Sequence, residues 1–240
     1  MKILFIRHAD PNYEKDSLTE KGFREAELVT ERLLKESPAA VYVSPMGRAQ
    51  KTAKGYLQKT GIKPTVYPWL MEFIHDVTFP DGRRQIPWDL MPDFINRNPE
   101  LYDLKKWYLN PLMQTGSIKE EYDKVADGID SLLSKHGYER NGMIYKVNKA
   151  NSDTVMIFCH FGVECVILSH MLNVSPVLLW QGFCCAPTGI TTVYTEEREK
   201  GKAQFRVSAF GDISHLYAAD EPPSFSARFC ETYDNMEQRH

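Results

Sequence analysis

The sequence predicts an α/β fold: three layers, α/β/α, with a largely parallel central sheet and an inserted, mainly helical lid region. Three observations carry this. Apolar runs of strand length, such as Lys2 to Ile6 and Thr154 to Cys159, alternate with segments of helical apolar spacing, and such alternation layers helices against a mostly parallel sheet. The 240 residues, 42% hydrophobic and 25% charged, suffice for one domain with a full core. From Phe73 to Gly116 the texture changes: five prolines are interleaved with aromatic residues such as Trp88, Phe94 and Trp107. Residues 1–240 are therefore expected to form a single domain, with a lid or specificity insertion at about 73–150.

The elements follow in order. Lys2 to Ile6 reads as a short buried strand. Thr19 is an expected N-cap, with Glu20 favourable at the positive helix end. Ala26, Val29 and Leu33 give that helix its apolar stripe, and Pro38 lies beyond its end. Ala40 to Val43 is a second buried strand. Ser44-Pro45 is expected to be N-cap and first helical residue of the next helix. Its inner face is Ala49, Thr52, Ala53, Tyr56 and Leu57, and Gly61 stops it. Thr65 to Tyr67 is a third strand. The aromatic, proline-rich stretch is read as short helices and loops, because a linker would not carry so many aromatics. Ser117-Ile118-Lys119-Glu120 is a predicted capping box. Ile118, Tyr122, Val125, Ile129, Leu132 and Leu133 then keep helical spacing. Arg140-Asn141-Gly142-Met143 signals a hairpin turn. Thr154 to Cys159 is a strongly apolar strand. Val163, Val166, Ile167 and Met171 mark the helix behind it, and Ile190 to Tyr194 and Phe205 to Phe210 are the last strands. The tail from Asp220 carries Phe225, Phe229 and Tyr233. Packing on the body, a homodimer interface and a loose terminus are its three readings.

Bulk properties exclude several function classes. The net charge is −3, and no basic stripe argues for nucleic acid or a membrane surface. No apolar run approaches the ~20 residues that span a bilayer. Met1-Lys2 leads straight into a four-residue apolar run and then charge, too short for a secretory signal. The five cysteines, Cys159, Cys165, Cys184, Cys185 and Cys230, are odd in number and match neither a disulfide framework nor a zinc site. The expected compartment is the cytoplasm.

In open α/β sheets ligands bind beyond the carboxyl ends of the strands. Arg7-His8 ends the first strand, Arg48 lies in the first turn after the second, and His160 ends the later apolar strand. Each alone has an ordinary reading, as a surface arginine or a core histidine. Together they would bring two guanidiniums and two imidazoles to one edge. Guanidinium forks suit phosphate oxygens, and N–H groups of the helix after His160 would add donors. Neighbouring cations depress a histidine's pKa, and a neutral imidazole is a nucleophile towards phosphorus. Phosphoryl transfer needs in-line placement and charge stabilisation, which fixed cations can supply without a metal. His75, His136, His170 and His215 have only the ordinary reading.

Four segments resemble the histidine phosphatase superfamily, also called phosphoglycerate-mutase-like. Ile6-Arg7-His8-Ala9-Asp10 resembles its Arg-His-Gly signature, and Leu18-Thr19-Glu20-Lys21-Gly22 its Leu-Thr-x-x-Gly helix start. Ser44 to Ala53 is similar to its Ser-x-x-x-Arg-Ala-x-x-Thr-Ala stretch, and Phe158-Cys159-His160-Phe161-Gly162-Val163 to its second histidine motif. The resemblance implies that His8 forms a phosphohistidine and that Arg7, Arg48 and His160 hold the phosphoryl group. It also implies an acidic proton donor shortly after the third strand, where Glu72 stands. Neither a cofactor nor a metal is implied, and the substrate would be a small phosphorylated metabolite hydrolysed as a phosphomonoester. The rivals are a phosphoglycerate-type mutase and an inactive relative that binds phosphorylated ligands or a partner protein. Asp10-Pro11-Asn12-Tyr13 departs from the fuller mutase signature. Phe161 stands where the histidine-acid phosphatase branch has His-Asp continuing its motif.

Overall fold

The structure, a computed structural model, describes residues 1–226, 228 and 230–237. In chain order it contains β1 (Lys2–Arg7), α1 (Glu20–Leu33), β2 (Ala40–Val43), α2 (Gly47–Thr60), β3 (Thr65–Val66), α3 (Pro92–Arg97), α4 (Ile118–Lys135), β4 (Tyr138–Asn141), β5 (Ile144–Val147), β6 (Thr154–Cys159), α5 (Phe161–Leu172), α6 (Pro176–Gly182), β7 (Ile190–Glu199), β8 (Lys202–Asp212) and α7 (Ser214–Tyr217). The strands form one eight-stranded sheet in the order β3-β2-β6-β1-β7-β8-β5-β4. From β3 to β1 all pairings are parallel. From β1 to β4 they are antiparallel, as the short turns at 142–143 and 200–201 require.

Period-two alternation divides the core. On β1, Ile3 and Phe5 join the cluster under α4 and α5, while Leu4 and Ile6 join the one under α1 and α2. On β6, Val155 and Ile157 face the first cluster, and Met156 and Phe158 the second. The sheet is thus a filled middle layer, with the parallel strands buried on both faces. Burial of α5 on nearly every side follows from its position at the centre of that face.

Local chemistry explains the ends of these helices. Thr19 caps α1, accepting the Gly22 N–H at 3.0 Å. Gly22 itself lies against the Asp10 carbonyl, which a Cβ there would meet at 2.2 Å. That contact explains why a glycine follows the cap by three residues. The expected Ser44-Pro45 cap is not formed: α2 begins at Gly47 with Met46 as N-cap. The Ser44 hydroxyl is taken by His160, 2.8 Å away. The Gly47 N–H instead donates to Asp16 Oδ2 at 2.5 Å, so a residue 31 positions upstream supplies the cap. Ser117 does precede α4, but its side chain makes no cap bond, so the capping box does not close.

Residues 73–117 are mostly short turns and loops, with a two-residue ribbon pairing Val77–Thr78 and Arg84–Gln85. Phe73, Leu101, Trp107 and Met113 are buried and belong to the core on the α4/α5 side. α4 packs on α5, and β4 and β5 extend the main sheet. Cys159, Cys165 and Cys185 are buried thiols. Among the described residues no helix is long and apolar enough to cross a membrane. Of the tail aromatics, Phe225 and Tyr233 are described and Phe229 lies outside the described residues.

Candidate active site

Parallel register builds the centre of the site. Arg7 is paired with Cys159, so the next residues, His8 and His160, leave the sheet side by side. Neighbouring strands lie roughly 4.7–4.9 Å apart, and the two imidazole centroids are 5.1 Å apart. β2 runs on the other side of β6, and its last pair is Val43 with Phe158. Ser44 therefore emerges next to His160.

The hydrogen bonds assign the tautomers. His8 Nδ1 lies 2.8 Å from the Ala9 carbonyl oxygen. That oxygen can only accept, so Nδ1 carries the proton and Nε2 the lone pair. The Met46 N–H donates to Ser44 Oγ at 3.3 Å, which leaves the hydroxyl hydrogen to donate to His160 Nε2 at 2.8 Å. A neutral His160 then holds its proton on Nδ1, which has no partner among the described residues.

The arginines are similarly half-satisfied. Arg7 donates through Nη1 to the Cys185 carbonyl and through Nη2 to the Ser226 carbonyl at 3.0 Å. Arg48 donates from Nη1 to Asp16 Oδ1 at 3.0 Å. Both side chains are buried, and the Nε of each has no partner among the described residues. Three buried N–H groups, two on the arginines and one on His160, thus lack an acceptor among the described residues. A buried unpaired donor costs about 1–3 kcal/mol.

Glu72 follows the turn Pro68–Leu70. Its Oε1 accepts from the Phe73 N–H at 2.8 Å and from the Val163 N–H at 3.0 Å. One N–H at the start of α5, expected from the sequence to face an anion, is therefore occupied by Glu72. Burial pushes the Glu72 carboxyl up, against the opposing pull of the Phe73 N–H, Arg48 and Arg7. Burial also drives His8 well below its ordinary value, and Arg7 and Arg48 push it the same way. His160 falls for the same first reason, then through His8, Arg48 and Arg7. The arrangement can hold a tetrahedral anion, offer a neutral nitrogen and hold a protonated carboxyl beside it.

Arg7, Arg48 and Glu72 line a cavity of about 790 Å³. His8 and His160 lie beneath its wall, 1% and 0% exposed. The cavity continues outward between Trp88, Trp180 and Phe161. Among the described residues no group of three or more His, Cys, Asp or Glu side chains is arranged to hold a metal ion.

The structure thus brings all five sequence-derived residues to one place. It adds others that sequence reasoning missed. Asp16 tethers Arg48 and caps α2. Ser44 orients His160. Asp10 accepts from the Thr19 hydroxyl at 2.6 Å and from the Ser226 hydroxyl at 2.8 Å, joining the tail to the loop after β1. Glu164 is wholly buried, and burial raises it to about 7, against the opposing pull of Thr191 and Arg7. Of these, only Asp10 and Ser44 lay within motifs the sequence singled out.

Comparison with known proteins gives the family and the fold. A model of the histidine phosphatase superfamily (branch 1) matches residues 3–207. Phosphoserine phosphatase 1 of Hydrogenobacter thermophilus is 21% identical over 210 residues, which cover 82% of this chain and 88% of that protein. A phosphoserine phosphatase of Entamoeba histolytica, solved in complex with phosphoserine, superposes with a TM-score of 0.60 at 19% identity, covering 90% of this chain and 98% of that one. A mycobacterial glucosyl-3-phosphoglycerate phosphatase gives a TM-score of 0.60 at 17% identity, covering 88% of this chain and 98% of its own.

Proposed function

Since the chain belongs to the histidine phosphatase superfamily, branch 1, we propose that it is a metal-independent phosphomonoesterase that hydrolyses a small phosphorylated metabolite in the cytoplasm. The observation that carries this reading is the trio of buried N–H groups, on Arg7, Arg48 and His160, that lack an acceptor among the described residues, in the same cluster as His8. In the first step His8 Nε2 attacks phosphorus in line while the P–O bond to the alcohol breaks. Glu72 gives its proton to the departing oxygen. In the second step the Glu72 carboxylate takes a proton from water as the water oxygen attacks phosphorus. The P–N bond breaks, inorganic phosphate leaves, and His8 and Glu72 return to their starting states. Arg7, Arg48 and His160 hold the equatorial oxygens throughout.

Residues 73–116, within the insertion at about 73–150, act as the lid over this centre and choose the substrate. No nucleic acid takes part. Tyr233 and Met236, both exposed, are the tail residues that a homodimer would cover. Relatives named for phosphoserine and glucosyl-3-phosphoglycerate support a small metabolite as substrate. The test is phosphate release from a panel of phosphorylated metabolites with a chelator present, for the natural chain and His8→Ala. Turnover should survive the chelator and fall to background in the variant. Turnover retained without His8 would remove the phosphohistidine route, and phosphate exchange between positions without net release would assign a mutase instead.

A further inference from the structure

The cavity is far larger than a phosphoryl group needs, and at about 790 Å³ it falls in the range that encloses whole small-molecule ligands. Its outer part is built largely from aromatic rings. Trp88 packs edge-on to Trp180 at 6.4 Å between ring centroids. It also lies flush against the first turn of α5, where a Cβ on Gly162 would meet its ring at 2.0 Å. Only glycine at 162 lets the indole sit there. The Trp88 carbonyl accepts from Gln181 Nε2 at 2.8 Å, and Gln85 Nε2 donates to the carbonyl of Asp89. The turn at 86–89 is thus fixed on both sides. Asp89 is held at the cavity wall by its main chain, not by its carboxylate.

That carboxylate is the charge in the cavity without a counterpart. Arg7 and Arg48 are committed to the phosphoryl centre, Asp16 is paired with Arg48, and Glu72 is bonded to two N–H groups. Arg228 also lines the cavity, but its Nη1 donates to Glu231 at 2.9 Å. For the Asp89 side chain no hydrogen bond or ion pair is found among the described residues. Burial raises it to about 6, which leaves it mainly ionised at neutral pH. An anionic group there would be repelled. A cation there would gain the carboxylate and the faces of the surrounding rings, which favour positive charge.

Resting on the phosphomonoesterase reading above, we propose that Asp89 is a specificity residue that binds a positively charged nitrogen on the substrate's leaving group, so that the natural substrate is an amine-bearing phosphomonoester. The substrate would lie with its phosphoryl group at Arg7 and Arg48 and its ammonium against Asp89, with the linking atoms between the aromatic walls.

The test uses ω-aminoalkyl phosphates of increasing chain length, each beside the n-alkyl phosphate with a methyl in place of the ammonium and beside the matching hydroxyalkyl phosphate. kcat/KM is measured for the natural chain, Asp89→Asn and Asp89→Glu, and the readout is the amine-to-alkyl ratio within each enzyme. At one chain length or more the natural chain should prefer the amine by at least about tenfold, mainly through KM. Asp89→Asn should bring that ratio below about threefold, and Asp89→Glu should retain it with an optimum nearer one carbon shorter. If Asp89→Asn turns over too slowly, calorimetric titration with aminoalkyl- and alkylphosphonates reads the same ratio from binding. A ratio near one at every length, a preference that survives Asp89→Asn, or an equal preference for the hydroxyalkyl esters overturns the proposal. p-Nitrophenyl phosphate separates the two readings. If it is hydrolysed in a His8-dependent way with no amine preference among the alkyl esters, the amine inference alone fails; if neither it nor any of the aminoalkyl, alkyl and hydroxyalkyl phosphates is hydrolysed, the phosphatase reading fails and takes this inference with it.

Discussion

Replacing Glu72 with glutamine isolates the proton from everything else that the carboxyl does. Oε1 holds the N–H groups of Phe73 and Val163 at 2.8 and 3.0 Å. The amide oxygen of glutamine can accept both bonds, so the turn and the start of α5 keep their anchor. Oε2 makes no hydrogen bond among the described residues, and it is the position from which a proton would pass to the departing oxygen. Losing a positioned general acid costs roughly 10²–10⁴-fold in rate, or about 2.7–5.4 kcal/mol of barrier. For an alkyl phosphate, whose leaving oxygen needs that proton, kcat of Glu72→Gln should fall by this amount with little change in Tm. For p-nitrophenyl phosphate the first step needs no proton, but the second still lacks its base. Rapid mixing should then show a burst of one equivalent of nitrophenolate, with phosphate retained on His8 by intact-protein mass measurement. Because burial raises the Glu72 carboxyl, the natural chain should stay active to higher pH than a free carboxylic acid would permit. Activity should decline as pH rises through that raised value, and the variant should lack that limb. Alkyl phosphate turnover within about threefold of the natural chain would refute the assignment of Glu72 as the acid, as would a slow steady state without a burst.

Two further predictions concern groups around the site. Glu25 is wholly buried, and burial raises it from the usual 4.5 to about 7. Its folded pKa is the higher one, so the folded chain keeps a proton that the unfolded chain has lost between these values. Stability from this residue is full below about 4.5 and is lost as pH rises to about 7, by at most about 3 kcal/mol. Glu25→Gln should flatten the denaturant midpoint over that window; an unchanged slope would show that Glu25 does not titrate there. Asp16→Asn removes the charge that tethers Arg48 at 3.0 Å and faces the Gly47 N–H. With the Asp16 side chain nearly half exposed, the stability cost should be about 1 kcal/mol, or about 2–4 °C in Tm, with KM raised severalfold. A KM that does not move would show that Arg48 is held without Asp16.

Much of this was legible in the sequence where one residue's role is set by its immediate neighbours. An apolar run that stops on Arg7-His8, and another that stops on His160, specify buried parallel strands and the chemistry at their ends. Thr19 and Gly22 specify the start of α1. What the sequence hid depends on contacts across the chain. Ser44 beside Pro45 has the local form of a cap, yet a distant imidazole competes for its hydroxyl and wins, because an unpaired buried ring nitrogen is the more expensive loss. The cap then comes from Asp16, which sits at φ 41 in a loop whose residues announce nothing. Asp89 is one of several acidic residues between 73 and 116, and the packing of Trp88 on Gly162 brings it to the cavity. β4 and β5 show the hairpin turn expected at 140–143, but their place at the edge of the main sheet is set by pairing with β8, which no local pattern encodes.

The two proton states required by phosphoryl transfer come from a single environment. Removing a group from water disfavours its charged form, whichever sign that charge has. The same burial therefore lowers His8 and raises Glu72, favouring an imidazole with a free lone pair and a carboxyl that keeps its proton to higher pH than a solvated one. The arginines act on the two unequally. They reinforce the neutrality of His8 but oppose that of Glu72, whose pKa rises because desolvation outweighs the guanidiniums and the two N–H bonds. An incoming phosphoryl dianion reverses this second influence. In the proposed reaction its charge would offset Arg7 and Arg48 and so raise Glu72 further, until the leaving oxygen develops enough charge to take the proton. In the proposed reaction, acid and nucleophile are thus set in opposite senses by one buried cluster, as in other sites where paired groups divide acid and base roles, and the substrate's own charge would complete the setting.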